Sequence, residues 1–273
     1  MTTLKLGVMA SLPAGPEEEL KNAHDLGLPT CQVVCWQREL FTEAMAQRLV
    51  AASQRYEVEV TTLWTGLPGP AVWNFIEGPS TIGLVPPERR AERVATLKEG
   101  ADFAVRIGVP SITTHVGFIP ENPGDPLYPG LIEALQDVVS YCRARNLTFC
   151  FETGQETPVA LLRVIEDLGR DGVGINLDPA NLLLYGKANP VDALDVFGTY
   201  VLGVHAKDGE YPTNGRYLGE EKALGEGRVN FPALVPKLKS YGFTGALTIE
   251  REISGPKQIE DIRRAITLLT PLL

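Results

Sequence analysis

The chain has 273 residues, of which 44% are hydrophobic and 22% charged, and its 25 basic against 34 acidic side chains give a formal charge of -9. That length exceeds the commonest domain size but matches the about 250 residues over which one α/β barrel closes, so residues 1–273 are read as one domain. The negative charge argues against a nucleic-acid partner, whose phosphates call for a positive surface, and no run approaches the roughly 20 apolar residues of a membrane helix.

The amino-terminal segment MTTLKLGVMASLPAG carries a short apolar run that reads as a strand and lacks the build of a secretory signal, which places the protein in the cytoplasm. From there the chain alternates. Strand patterns rich in Val, Ile and Thr cover Leu4–Met9, Thr30–Trp36, Glu57–Trp64, Ser111–His115, Leu147–Glu152, Val173–Asp178, Val201–His205 and Ala246–Glu250. Amphipathic helical patterns follow them at Pro16–Leu26, Thr42–Arg55, Pro87–Ile107, Leu127–Arg145, Thr157–Leu168, Pro190–Phe197, Phe231–Ser240 and Pro256–Leu272. Pro158 near a helix start, and Gly108, Gly169 and Gly242 after helix ends, suit the local geometry of those positions. Eight βα units in strict alternation predict a (β/α)8, or TIM, barrel. An open doubly wound sheet stops at five or six strands and carries a glycine-rich turn after the first, which this chain lacks.

Two connections are long, Thr65–Pro86 after the third strand and Lys207–Val229 after the seventh, and in a barrel both fall on the catalytic face. The first holds Trp73 and Phe75 among Gly and Pro, the makings of an aromatic wall or lid against substrate, or of a packed surface loop. Cys31, Cys35, Cys142 and Cys150 lie in or beside apolar runs without a CxxC pair and read as buried thiols.

Barrel enzymes place their chemistry at the carboxyl ends of strands. Here the fifth strand, LTFCFE, ends in Glu152, the sixth, VGINLD, in Asp178, the seventh, VLGVH, in His205, and the eighth, ALTIE, in Glu250. One of these alone reads equally as a barrel-mouth polar group bonded to a loop. Four in register read as a ligand set, because converging acids repel one another unless a cation holds them. Mixed oxygen and nitrogen donors suit one divalent ion, Mn2+ first and Mg2+, Co2+ or Zn2+ next, with coordination positions left for a ketone and its neighbouring hydroxyl.

His115 ends the fourth strand in SITTHVGFIP and is assigned to a substrate oxygen or to a neighbouring carboxylate, whereas His24, inside the first helix, reads as structural. Lys207, in VHAKDG, is directed at the mouth to stabilise developing negative charge, the alternative being a loop lysine in water. Glu156 and Asn181 lie just beyond two of the ligands and are assigned with Trp73 to substrate binding. Leu224–Arg228, LGEGR, reads as a turn rather than an anion loop, so phosphorylated substrates are not indicated.

The blocks THVGFIP, FETGQE, NLDPANLLLYG, VHAKDG, LGEGRVNFP and TIERE together resemble the xylose-isomerase-like barrel superfamily of sugar phosphate isomerases and epimerases, which also includes inosose dehydratases and the endonuclease IV group. The resemblance implies that Glu152, Asp178, His205 and Glu250 bind one divalent metal and that Glu152 and Glu250 act as acid and base on opposite faces of a sugar or polyol ketone. It also implies a homo-oligomer such as a dimer. Ketose 3-epimerases of this type carry a histidine where this chain has Asn181 and an arginine where it has Tyr211, while the HxKD sequence of His205 to Asp208 is similar to the inosose dehydratase side. The expected activity is therefore that of a metal-dependent sugar isomerase or epimerase, with a dehydratase or lyase acting on an inosose or keto-glycoside as the alternative and a non-catalytic subunit or binding module as the third. Three histidines and a negative charge set it apart from the endonuclease IV group.

Overall fold

Each of the eight apolar runs becomes a parallel strand, and the helices that follow them wrap the outside. A computed structural model describes residues 4–273. The barrel strands are β1 (Lys5–Ser11), β2 (Thr30–Cys35), β3 (Glu59–Thr65), β4 (Ser111–Thr114), β5 (Thr148–Glu152), β6 (Val173–Leu177), β7 (Val201–Ala206) and, after a short ribbon of β8 (Asp208–Gly209) with β9 (Glu221–Lys222), β10 (Ala246–Ile249). Pairing of β1 with both β2 and β10, for instance Val8 beside Cys31 and Leu6 beside Leu247, closes the ring. This is a (β/α)8 TIM barrel.

The helices are α1 (Pro16–Asp25), α2 (Glu43–Tyr56), α3 (Gly78–Thr81), α4 (Arg90–Ile107), α5 (Tyr128–Arg143), α6 (Pro158–Asp167), α7 (Pro179–Leu184), α8 (Pro190–Phe197), α9 (Phe231–Ser240) and α10 (Pro256–Leu269). Among the described residues no helix is long and apolar enough to cross a membrane. Their starts are set locally: the Thr157 hydroxyl accepts from Ala160 N at α6, and Asn189 accepts from Val191 N and Asp192 N at α8. Gly108, Gly169 and Gly242 follow helices with positive φ, as their positions require. Helix α4 begins later than Pro87, because Pro87–Arg89 forms a separate 3-10 turn.

The sequence reading differs from the structure at α7, a short helix it did not expect. Its start is written in the sequence: the Asp178 carboxylate accepts from Asn181 N at 2.8 Å, and Pro179 takes the first helical position, where a missing N–H is harmless. Asp178 thus leaves the strand and becomes a helix cap. Likewise β4 stops at Thr114 and β10 at Ile249, so His115 and Glu250 stand one residue past their ladders.

The two long connections are each held by one buried charge. Within α4 the Arg93 guanidinium donates to the carbonyls of Gly83 (2.6 Å), Thr81 (2.7 Å), Pro70 (3.1 Å) and Pro68 (3.2 Å), gathering the segment after β3. The Asp208 carboxylate does the converse after β7, accepting from the amides of Gly209 (2.8 Å), Gly225 (2.9 Å), Val229 (3.0 Å) and Gly227 (3.2 Å). Two amides of the LGEGR turn, those of Gly225 and Gly227, are therefore bound to a protein carboxylate. Charge-assisted bonds of this kind are roughly twice as strong as neutral ones, and they help both connections keep one shape.

All four cysteines are buried free thiols, and burial pushes those of Cys31, Cys142 and Cys150 up to about 12, so they are inert at neutral pH. His24 lies on the outer surface, where Nδ1 is 2.9 Å from the Tyr56 carbonyl at the end of α2.

Candidate active site

A cavity of about 900 Å³ opens at the carboxyl end of the barrel, bounded by Trp64, Trp73, His115, Glu152 and Glu250 among others. The four strand-end residues converge there, Glu152 and Glu250 bounding the cavity and Asp178 and His205 fully buried beneath them: each offers a donor atom within 4.8 Å of the others. His205 sits at the centre, with Nδ1 3.0 Å from Glu152 Oε1, 2.9 Å from Glu250 Oε2 and 3.9 Å from Asp178 Oδ2.

Backbone chemistry fixes this geometry. The Thr153 hydroxyl, one residue past Glu152, donates to the Asp178 carbonyl and accepts from the Asp178 amide, both at 2.9 Å, so the ends of β5 and β6 are clamped together. On the other side of Glu152, the Trp64 indole N–H donates to Oε2. His115 Nε2 lies 3.5 Å from Oε1. His205 is held from behind by Gln32, whose Oε1 is 2.9 Å from Nε2.

Electrostatics at the floor divide the acids. Burial alone would raise the Glu152 and Glu250 carboxyls, but the positive charge of His115 and His205 at the first, and of Lys207 and His205 at the second, outweighs it and holds both below the usual carboxylate range. Burial wins at Asp178, which is pushed up to about 7 despite Lys207 beside it. Burial lowers His205 too, yet Glu250 and Glu152 more than reverse this and favour its charged ring. The site thus asks for positive charge at its centre.

Those atoms fit a divalent cation. Asp178 Oδ2 is fully buried and among the described residues has no hydrogen-bond partner, only the Lys207 ammonium 3.5 Å away, so it has room for a cation in hydrogen-bond reach, while Oδ1 is used in capping α7. Three carboxylates with one imidazole form an oxygen-rich, hard donor set without thiolate, suited to Mn2+, Mg2+, Co2+ or Zn2+.

The remaining sequence-predicted residues take distinct places. Lys207 is 2% exposed, not a loop lysine in water: Nζ is 2.8 Å from Glu252, 3.4 Å from Asn181 Oδ1, 3.5 Å from Asp178 Oδ2 and 3.9 Å from Glu250. Asn181 and Trp73 line the cavity. Glu156 is 3% exposed and is not among the residues that bound the cavity; its Oε1 is 3.4 Å from the Gly154 amide. The aromatic segment after β3 forms a wall, with Trp73 5.1 Å from His115 and 6.3 Å from Trp36, ring centre to ring centre.

Sequence reasoning missed Trp36, Trp64 and Gln32. Trp36 lies across the backbone of Gly66, where any Cβ would clash with its ring. Trp64 ends the third strand as read from the sequence just as Glu152 ends the fifth, so the same rule of strand ends would have found it had it been applied to aromatic residues.

The xylose isomerase-like TIM barrel family model matches residues 20–272. The chain belongs to this family. Among solved structures it is similar to a xylose isomerase domain protein from Planctomyces limnophilus, with 39% identity, a TM-score of 0.93, and 98% of this chain and 97% of that one covered. A D-tagatose 3-epimerase-like protein shares the fold at 21% identity and a TM-score of 0.76, over 98% of this chain and 97% of the other. The 3-keto-D-glucoside 4-epimerase from E. coli does so at 17% identity and a TM-score of 0.71, over 98% and 100%.

Proposed function

We propose that this protein is a divalent-metal-dependent isomerase or epimerase of a ketose-like sugar, and that Glu152 and Glu250 are its acid and base. The observation that carries the proposal is their placement: a buried Glu152 from β5 and a partly buried Glu250 from the end of β10 flank one imidazole while Asp178 adds a third carboxylate. Similarity to an epimerase-like protein and to an epimerase supports sugar epimerisation as the reaction class.

Glu152, Asp178, His205 and Glu250 would hold the ion, manganese first by donor chemistry, and the ion would polarise a substrate carbonyl and so acidify the neighbouring C–H. The protein residues do the rest. Both glutamates are held ionised by neighbouring positive charge, so either is competent to take the proton from carbon, and the other returns to the opposite face a proton that it has first taken up from solvent water. Proximity compensates for their low basicity. Trp64 fixes the orientation of Glu152 through Oε2, and His115 stands beside it to meet a substrate oxygen. Trp36 and Trp73, 45% and 41% exposed at the mouth, offer an apolar wall for the face of a sugar ring and keep water from it.

A second reading has one observation in its favour. The Lys207 ammonium, buried beside Asp178, Glu250 and Asn181, is placed to give a proton to a departing oxygen, which would turn the same proton abstraction into an elimination on an inosose or keto-glycoside.

The test is proton NMR in D2O of the manganese-loaded protein with free ketoses, inososes and 3-keto-glycosides, comparing wild type with Glu152→Gln and Glu250→Gln. Wild type should exchange a carbon-bound proton and form an epimer or aldose, and each variant should lose roughly 10³-fold or more of that rate. Exchange with loss of a substituent would move the protein to the lyases. Retained exchange in both variants would overturn the acid and base assignment.

A further inference from the structure

Behind His205 a row of side chains crosses the barrel interior. His205 Nε2 is 2.9 Å from Gln32 Oε1, and Gln32 Nε2 donates to Asn176 Oδ1 at 2.9 Å. Gln32 comes from the middle of β2 and Asn176 from β6, strands that are not neighbours in the ring, so this bond spans the interior beneath the site. All three side chains are buried to within 2% of full enclosure.

Barrel interiors are usually filled by branched apolar residues, so an amide pair here calls for a reason. The strand beside β6 is cut to receive it. At Gly203, two residues before His205 on β7, an added Cβ would collide with Asn176 Oδ1 and come within 3.3 Å of Gln32 Nε2. Below lies a cavity of about 170 Å³, bounded by Gln32 and Asn176 with Thr62, Ser111 and Thr113, and among the described residues Asn176 Nδ2 has no partner.

Donor and acceptor roles propagate along this row. With Gln32 Nε2 given to Asn176, Gln32 Oε1 is left to accept, and the proton it accepts sits on His205 Nε2. The lone pair of the neutral ring is then on Nδ1, the nitrogen that faces Glu152, Glu250 and Asp178. Reversing the amides would put the ring proton on Nδ1 and abolish that donor.

We propose that Gln32 is a positioning residue that, seated against Asn176 in the notch at Gly203, keeps a proton on His205 Nε2 so that Nδ1 is the nitrogen offered to a divalent ion. The inference rests on the metal-site reading above. Outer partners of a metal-binding histidine typically matter by 10- to 100-fold in affinity.

Calorimetric titration with Mn2+ tests it without reference to turnover. Gln32→Leu should weaken binding by about 10- to 100-fold. Gln32→Glu keeps an acceptor on Nε2–H, and Asn176 can turn its free Nδ2 toward the carboxylate, so this variant should stay within about threefold of wild type. Histidine 15N spectra of the Mg2+-loaded wild type, which need no variant to fold, should show the proton of His205 on Nε2. Unchanged affinity in Gln32→Leu, or a proton on Nδ1 in the loaded protein, would overturn the relay while leaving the metal site intact. A wild-type protein that binds neither ion would overturn both.

Discussion

The two halves of the barrel mouth are built of opposite materials. Strands β5, β6, β7 and β10 present Glu152, Asp178, His205 and Glu250, with Lys207 buried behind them, whereas β2, β3 and the segment after β3 present Val34, Trp36, Trp64 and Trp73. Charge on one side and aromatic surface on the other suit a ligand with a chelating edge of oxygens and a flat C–H face, which is what a sugar ketone offers. The halves are joined by the bond from the Trp64 indole to Glu152 and, beneath it, by that between Gln32 and His205.

The glutamate variants break the charged half and carry the largest expected loss of turnover. Breaking the aromatic half should cost less: Trp73→Ala removes a ring that touches His115 and the cavity but no proton-transfer group, so KM for a ketose should rise about tenfold, roughly 1.4 kcal/mol, with kcat within about threefold. A kcat that fell as far as in Glu250→Gln would mean that the aromatic wall takes part in the chemistry itself.

Glu156 sharpens the comparison from outside it, because it lies four residues beyond Glu152 and yet does not bound the cavity. Burial pushes its carboxyl up to about 8 from an ordinary 4.5. The folded protein therefore keeps a proton that the unfolded chain releases above pH 4.5, and stability is lost as pH rises from there until the folded carboxyl ionises near 8. Glu156→Gln should leave turnover close to wild type, match wild-type stability at pH 4, and gain about 1–3 kcal/mol over it at pH 9, read from urea unfolding. A stability difference that does not change with pH would contradict this.

The charged half was legible in the sequence and the aromatic half was not, for a physical reason. A carboxylate or imidazole ending an apolar run cannot be explained as core, so Glu152, Asp178, His205 and Glu250 stood out. Trp36 and Trp64 end runs in which aromatic residues belong anyway. Gln32 was illegible because both faces of a barrel strand are buried, and nothing in TCQVVC tells which face looks inward. The eight-unit alternation gave the barrel directly, while α7 was hidden because its cap, Asp178, was already read as a strand end. Arg93 and Asp208 organise the two long connections through contacts with backbone groups far along the chain or across a loop, which no local pattern encodes.

The central claim is that one divalent ion is held by the four strand-end residues, and anomalous diffraction from crystals soaked in manganese tests it most directly. The account predicts one manganese peak at about 2.0–2.4 Å from Glu152, Asp178 Oδ2, His205 Nδ1 and Glu250. A peak elsewhere, several peaks, or ligation through the other ring nitrogen of His205 would contradict it.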